Sequence, residues 1–249
     1  MQIGAQLYTT RDLMRSPEGI RSTLERVAAI GYKYIQCSGF AFEAAEMKAL
    51  CDSLGLGVRL THTACERILN DTENVIREHL LLQCPYVGVG YMPGQHTPAG
   101  ARQFLQEFTP AMQALHAAGL KLQYHNHAFE YARLPEGDVW SVLVNESDPA
   151  LLGFTLDVFW AQYGGKNVPE LIRALKGRID VCHVKDMNLE EHEHRFAAVG
   201  EGVLEWPGIL GALEETGTEY AFVEQDDCYG KDPLEELETS FRFLAQYYA

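Results

Sequence analysis

One phrase recurs along this chain and limits its fold more than any other feature: an amphipathic run, a glycine, a residue or two, then a short apolar run. It reads Gly31-Tyr-Lys-Tyr-Ile, Gly55-Leu-Gly-Val-Arg-Leu, Gly119-Leu-Lys-Leu-Gln, Gly177-Arg-Ile-Asp-Val and Gly217-Thr-Glu-Tyr-Ala. Glycine closes a helix by taking the left-handed conformation, and a short loop then feeds a strand. Strands are expected at 3–8, 32–37, 57–62, 86–90, 121–126, 152–157, 178–185 and 220–225. Helices are expected at 17–30, 42–54, 72–82, 99–118, 138–144, 168–175, 206–216 and 233–248. Residues 188–205 read as a long polar loop, and Asp226-Asp-Cys-Tyr-Gly as a solvated turn.

Strand then helix, eight times over, means parallel strands joined by helical crossovers, an α/β fold. The chain has 249 residues, and an eight-stranded β/α barrel typically needs about 250. The expectation is a single-domain (β/α)8 TIM barrel spanning residues 1–249. An open doubly wound sheet is the competitor. It would usually carry a glycine-rich turn after the first strand, where this chain reads Tyr8-Thr-Thr-Arg-Asp.

The formal net charge is −15, which repels phosphate backbones and argues against a nucleic-acid partner. No apolar run reaches the ~20 residues of a membrane span. The six cysteines form no Cys-x-x-Cys pair and read as mostly buried thiols of a cytoplasmic protein. Residue patterns leave the oligomeric state open, a homo-oligomer included.

In such a barrel the C-terminal strand ends carry the chemistry. Here those ends are polar almost throughout: Gln6, Gln36, His62, His125-Asn126-His127, Asp157, His183, Lys185 and Glu224. Ionisable groups on buried strands are costly unless paired or bound to metal. Asp157, His183 and Glu224 come from three successive strands, and His125 from the strand before them. Together they are the expected ligands of one divalent ion, Mn, Co, Zn or Mg, with the imidazoles tilting the choice away from Mg. Each has a competing structural role: a helix N-cap or ion pair for Asp157, a satisfied core histidine for His183, an ion pair with Lys185 or an arginine for Glu224. His62, Trp160, Lys185, Asn126 and Gln6 are the candidate substrate contacts. For His62 and Trp160 packing competes, and for Lys185 a bridge to Asp186. Glu224, with Glu130 or His127, is the candidate proton-transfer set. The loop after strand five is expected to bring Glu130 toward the barrel mouth.

Six segments carry a family resemblance: Gln6-Leu-Tyr-Thr-Thr-Arg-Asp12, Tyr124-His-Asn-His-Ala-Phe-Glu-Tyr131, Leu156-Asp-Val-Phe-Trp160, His183-Val-Lys-Asp-Met187, Val199-Gly-Glu-Gly202 and Val223-Glu-Gln-Asp226. The chain resembles, over its full length, the sugar phosphate isomerase/epimerase superfamily, the xylose isomerase-like TIM barrels. The resemblance implies a divalent metal held by Glu, Asp, His and Glu from strands five to eight. Asp157, His183 and Glu224 match the last three. The fifth-strand position departs, because His125 stands where the family usually has a glutamate that binds metal and doubles as a base.

The expected activity is therefore a metal-dependent isomerisation or epimerisation of a sugar or keto-sugar through an enediolate. A dehydratase or lyase acting on keto-sugars or 3-keto-glycosides is the alternative, and a non-catalytic sugar-binding barrel the second. The family's abasic-site endonuclease branch fits poorly with the acidic charge and the scarcity of strand-end histidines.

Overall fold

The computed structural model describes residues 1–248. Its strands are β1 (Gln2–Gln6), β2 (Tyr34–Cys37), β3 (Gly57–His62), β4 (Tyr86–Val89), β5 (Lys121–His125), β6 (Leu152–Asp157), β7 (Val181–Val184), β8 (Asp186–Glu190), β9 (Glu193–Ala197) and β10 (Tyr220–Val223). Eight of them close into a barrel in the order β1-β10-β7-β6-β5-β4-β3-β2, every pairing parallel. The single-domain TIM barrel is thus the observed fold, and the open sheet is excluded.

The helices are α1 (Pro17–Ile30), α2 (Ala44–Leu54), α3 (Cys65–Asn70), α4 (Thr72–Leu82), α5 (Pro98–Ala117), α6 (Val139–Glu146), α7 (Val158–Tyr163), α8 (Val168–Ala174), α9 (Trp206–Thr216) and α10 (Pro233–Tyr248). Their ends follow the local chemistry. Ser16 accepts from the Gly19 N–H ahead of Pro17, and Thr97 accepts from the Gly100 N–H ahead of Pro98, the N-cap-plus-proline start. Gly55 and Gly217 close α2 and α9 in the left-handed conformation.

Side-chain alternation divides the core in two. Cys182, Val184, Ala221 and Val223 face outward, into the apolar layer between strands and helices. Val181 and Phe222 face inward, into a small barrel-interior cluster with Leu60, Tyr86, Tyr34 and Tyr220. That inner cluster fills the lower barrel. Residues on the same inward faces but further along each strand, His183 and Lys185 on one and Glu224 on the other, reach the opposite, C-terminal end.

Three expectations are corrected. The chain leaves β1 at Gln6, not at residue 8, and turns through a 3₁₀ segment, Leu7–Leu13, whose first N–H groups include Tyr8 bonded to Gln6 Oε1. The polar stretch after residue 187 is largely a hairpin, not a loop: β8 and β9 pair antiparallel around Glu191 and His192, both at positive φ. Arg178 lies outside β7 and bonds the Val144 carbonyl and Ser147 hydroxyl. All six cysteines are free, and among the described residues no helix is long and apolar enough to cross a membrane.

Candidate active site at the barrel mouth

β5 ends on His125 and β6 on Asp157; His183 sits one residue before the end of β7, and Glu224 follows β10 directly. Asp157 and His183 are register partners. His183 pairs with Phe222 across β7 and β10, so Glu224, two residues on, rises on the same face. The strand register therefore brings together all four expected ligands. Each offers one ligand atom, the four atoms lie within 4.8 Å of one another, and all four residues are buried.

His125 Nε2 is 3.2 Å from Asp157 Oδ2. His183 Nδ1 is 2.9 Å from Glu224 Oε2 and 3.8 Å from Asp157 Oδ2. Despite that 2.9 Å, His183 Nδ1 and Glu224 Oε2 are not aligned as a hydrogen bond, and neither has a hydrogen-bond partner among the described residues. Buried polar atoms are rarely left so. Glu224 Oε2 also faces the Lys185 ammonium at 3.0 Å, and a metal ion at this point would take the place of the His183 proton.

Each of the candidate ligands is held from behind. His183 Nε2 lies 2.7 Å from Gln36 Oε1, and His125 Nδ1 lies 3.3 Å from the Gly90 carbonyl. Asp157 divides its two oxygens: Oδ1 accepts from the Trp160 N–H and caps α7, while Oδ2 faces the cluster. The N-cap role is realised, and the other oxygen is left facing the cluster. Asn126 clasps the Asp157 backbone, accepting from its N–H at 2.9 Å and donating to its carbonyl at 3.4 Å. Such second contacts fix ligand orientation.

The site is a buried network of opposite charges. Burial would lower the His183 pKa, but the Glu224 and Asp157 carboxylates outweigh it and push it up to about 9. Burial would raise Asp157 and Glu224, yet the Lys185 ammonium and the neighbouring histidines hold both well below the usual carboxylate range. Lys185 itself is 1% exposed. Burial alone would drive its pKa down, and Asp157, Glu224 and Asp226 reverse this and hold it charged. Its ammonium hydrogen-bonds both oxygens of Asp226 at 2.9 and 3.0 Å. Asp226 is thus an ion-pair partner at the mouth, not the solvated turn expected. Asp186 is not the partner of Lys185.

Around the cluster stand groups with spare hydrogen-bonding capacity. The His62 ring lies 5.3 Å from that of His125 and 5.6 Å from that of His183. Its Nδ1 is 3.2 Å from Ser38 Oγ, and its Nε2 has no partner. Gly90 makes room for it: a Cβ there would sit 2.9 Å from His62 Nδ1. His127 stacks edgewise 4.8 Å from His125 and lies 5.5 Å from Trp160; His127 Nδ1 and Trp160 Nε1 are also unpartnered. Burial, and then the histidines beside them, keep His62 and His127 neutral, His127 lowered to about 3. Gln6 is buried, with Oε1 on the Tyr8 N–H and Nε2 without a partner. Sequence reasoning missed Phe196, whose ring packs 4.4 Å from Phe159 and 5.8 Å from Trp160.

Glu130 is fully buried. One oxygen accepts from the Tyr124 hydroxyl and the other from the His127 N–H, each at 2.8 Å. Burial raises its pKa to about 7, against the hydrogen bonds that lower it. The folded state therefore holds this proton more tightly than the unfolded chain. The resulting stability is complete below about pH 4.5 and is lost as pH rises through about 7. Glu130→Gln keeps an oxygen for the His127 N–H, turns its amide NH2 toward the Tyr124 hydroxyl oxygen as donor, and has no titrating proton. The expected result is a gain of stability relative to the parent that grows between pH 5 and pH 8. Denaturant midpoints of both proteins across that range check it; a constant difference would refute it.

The xylose isomerase-like TIM barrel family model matches residues 24–247. The chain belongs to this family. Among solved structures, this xylose isomerase-like barrel is similar to a sugar phosphate isomerase/epimerase from Parabacteroides distasonis, with 22% identity, 98% of this chain and 93% of that one covered, and a TM-score of 0.83. It is also similar to L-ribulose 3-epimerase, at 16% identity, 99% and 94% coverage and a TM-score of 0.75. The probable 3-DHS dehydratase AsbF of Bacillus anthracis shares the barrel at 12% identity, with 98% and 99% coverage and a TM-score of 0.74. At these identities the likeness is one of fold. No curated protein sequence matches the chain significantly.

Proposed function

We propose that this xylose isomerase-like barrel is a divalent-metal-dependent isomerase or epimerase of a sugar or keto-sugar. The observation that carries the reading is the buried set His125, Asp157, His183 and Glu224, one ligand atom from each within 4.8 Å, with His183 Nδ1 and Glu224 Oε2 left without hydrogen bonds. Two imidazoles and two carboxylates suit Mn²⁺, Co²⁺ or Zn²⁺ better than Mg²⁺. When bound, the ion would act as a Lewis acid on the substrate's carbonyl and adjacent hydroxyl.

The protein's own groups supply the rest. Glu224 is the general base that takes the proton from the carbon next to the carbonyl, giving an enediolate. Lys185 compensates negative charge developing on oxygen. His127, neutral and with Nδ1 free, is placed to hold a substrate hydroxyl. Glu130 fixes the His127 backbone and is assigned a positioning role. His62 Nε2 and Trp160 Nε1 bind hydroxyls, and the Trp160 and Phe196 rings offer an apolar wall to the C–H face of a sugar. Gln6 lends its free amide, while Asn126 holds Asp157 in place. The buried ammonium at the mouth is already matched to carboxylates, so an unphosphorylated substrate fits better than a phosphorylated one.

Epimerisation removes a proton on one face and returns one on the other, so it needs two groups. A shift between aldose and ketose needs one. His125 in the fifth-strand place leaves fewer carboxylate bases, which keeps β-elimination as the second reading. Incubation of Mn²⁺-loaded protein with keto-sugars in D₂O tests the assignment. Deuterium is expected at the carbon next to the carbonyl, with mass otherwise conserved and exchange abolished by chelator. Release of water or a glycosidic group would move the protein to the lyases. No exchange with any keto-sugar would defeat the proposal.

A further inference from the structure

Lys185 Nζ lies 3.0 Å from Asp157 Oδ2 and 3.0 Å from Glu224 Oε2. These are the same oxygens that face His125 and His183. Yet its hydrogen bonds run elsewhere, to both oxygens of Asp226. The Trp160 and Phe196 rings flank the ammonium at 5.8 and 5.4 Å, close enough for cation–π attraction. Three carboxylates thus surround one buried ammonium, and a divalent cation would close the charge difference.

We propose that Lys185 is a resident cation: it stands in for the metal in the metal-free protein, competes with it for Asp157 and Glu224, and withdraws onto Asp226 when the ion enters. The inference rests on the metal site proposed above. Buried carboxylates with no cation nearby are strongly destabilising, so the lysine keeps the metal-free barrel folded. Two cations on the same oxygens repel each other in a low-dielectric site, so the lysine also weakens metal binding. Asp226, half-buried at the rim, gives the ammonium a second partner while it yields the first two.

The test is a Mn²⁺ titration of chelator-stripped parent, Lys185→Met, Asp226→Asn and the double variant, with melting temperatures at zero and saturating Mn²⁺. Lys185→Met is expected to tighten Mn²⁺ at least about tenfold, to lower the melting temperature of the metal-free protein, and to recover it when saturated. Asp226→Asn is expected to weaken Mn²⁺ in the parent and to have little effect in the Lys185→Met background, because it acts through the lysine. Weaker or unchanged binding in Lys185→Met, or an equal Asp226→Asn effect in both backgrounds, overturns the proposal. If Lys185→Met does not fold without metal, Lys185→Gln takes its place in the same cycle. A parent that binds no Mn²⁺ sinks the metal reading and this inference together. A parent that binds Mn²⁺ with no coupling between Lys185 and Asp226 sinks the lysine's role alone.

Discussion

Glu224→Gln lowers turnover by about 10²–10⁴-fold, the usual contribution of a general base, and leaves the barrel folded. Glutamine has the same volume and can keep an oxygen toward the cluster. Lys185 retains Asp157 and Asp226 at 3.0 and 2.9 Å, so no buried charge is orphaned. The change removes only the ability to take a proton, together with one negative charge beside His183. Deuterium exchange measured at saturating Mn²⁺ separates the base from the ligand, since a pure ligand defect is restored by excess metal. A variant within a few fold of the parent at saturation would mean that another group moves the proton.

The largest effect on stability is expected at Asp186. This carboxylate is fully buried. It accepts from the N–H groups of Met187, Gly200, Gly202 and Leu204 and from the Trp206 indole, the last at 2.6 Å. One side chain thus ties the β8–β9 hairpin and the Val199–Leu204 turn to the barrel rim. Asp186→Ala strands these donors, and each buried unmet donor costs about 1–3 kcal/mol. A loss of about 3 kcal/mol or more is expected by denaturant titration, with Asp186→Asn in between because it keeps one accepting oxygen. The hairpin also carries Phe196 over Lys185, so turnover should fall with it. A loss under about 1 kcal/mol would mean that solvent reaches these groups.

How far the sequence could be read depended on whether its signals were local. The barrel was legible because each unit announces itself: Ser16-Pro17 opens a helix, and Gly31, Gly55 and Gly217 close helices. Ligand candidates followed from strand order, since Asp157, His183 and Glu224 lie on consecutive strands of the closed ring. The hairpin was hidden because its turn lacks the usual glycine or asparagine; Glu191 and His192 adopt positive φ themselves. The short helices α3 and α7 were hidden by their length, at 6 residues each. Asp157 could be read as a cap or as a ligand, and no sequence rule says that one oxygen will cap α7 while the other faces the cluster. Lys185 pairing with Asp226 spans 41 positions, a distance no local pattern reports. Glu130 was expected toward the mouth from its place in the loop; its carboxylate is buried and tied to the Tyr124 hydroxyl and the His127 N–H, contacts that no local pattern reports.

The metal site is tested most directly by anomalous diffraction from crystals soaked in Mn²⁺. One peak per chain is predicted, enclosed by His125 Nε2, Asp157 Oδ2, His183 Nδ1 and Glu224 Oε2. No peak there, or a peak held by other residues, would contradict the account.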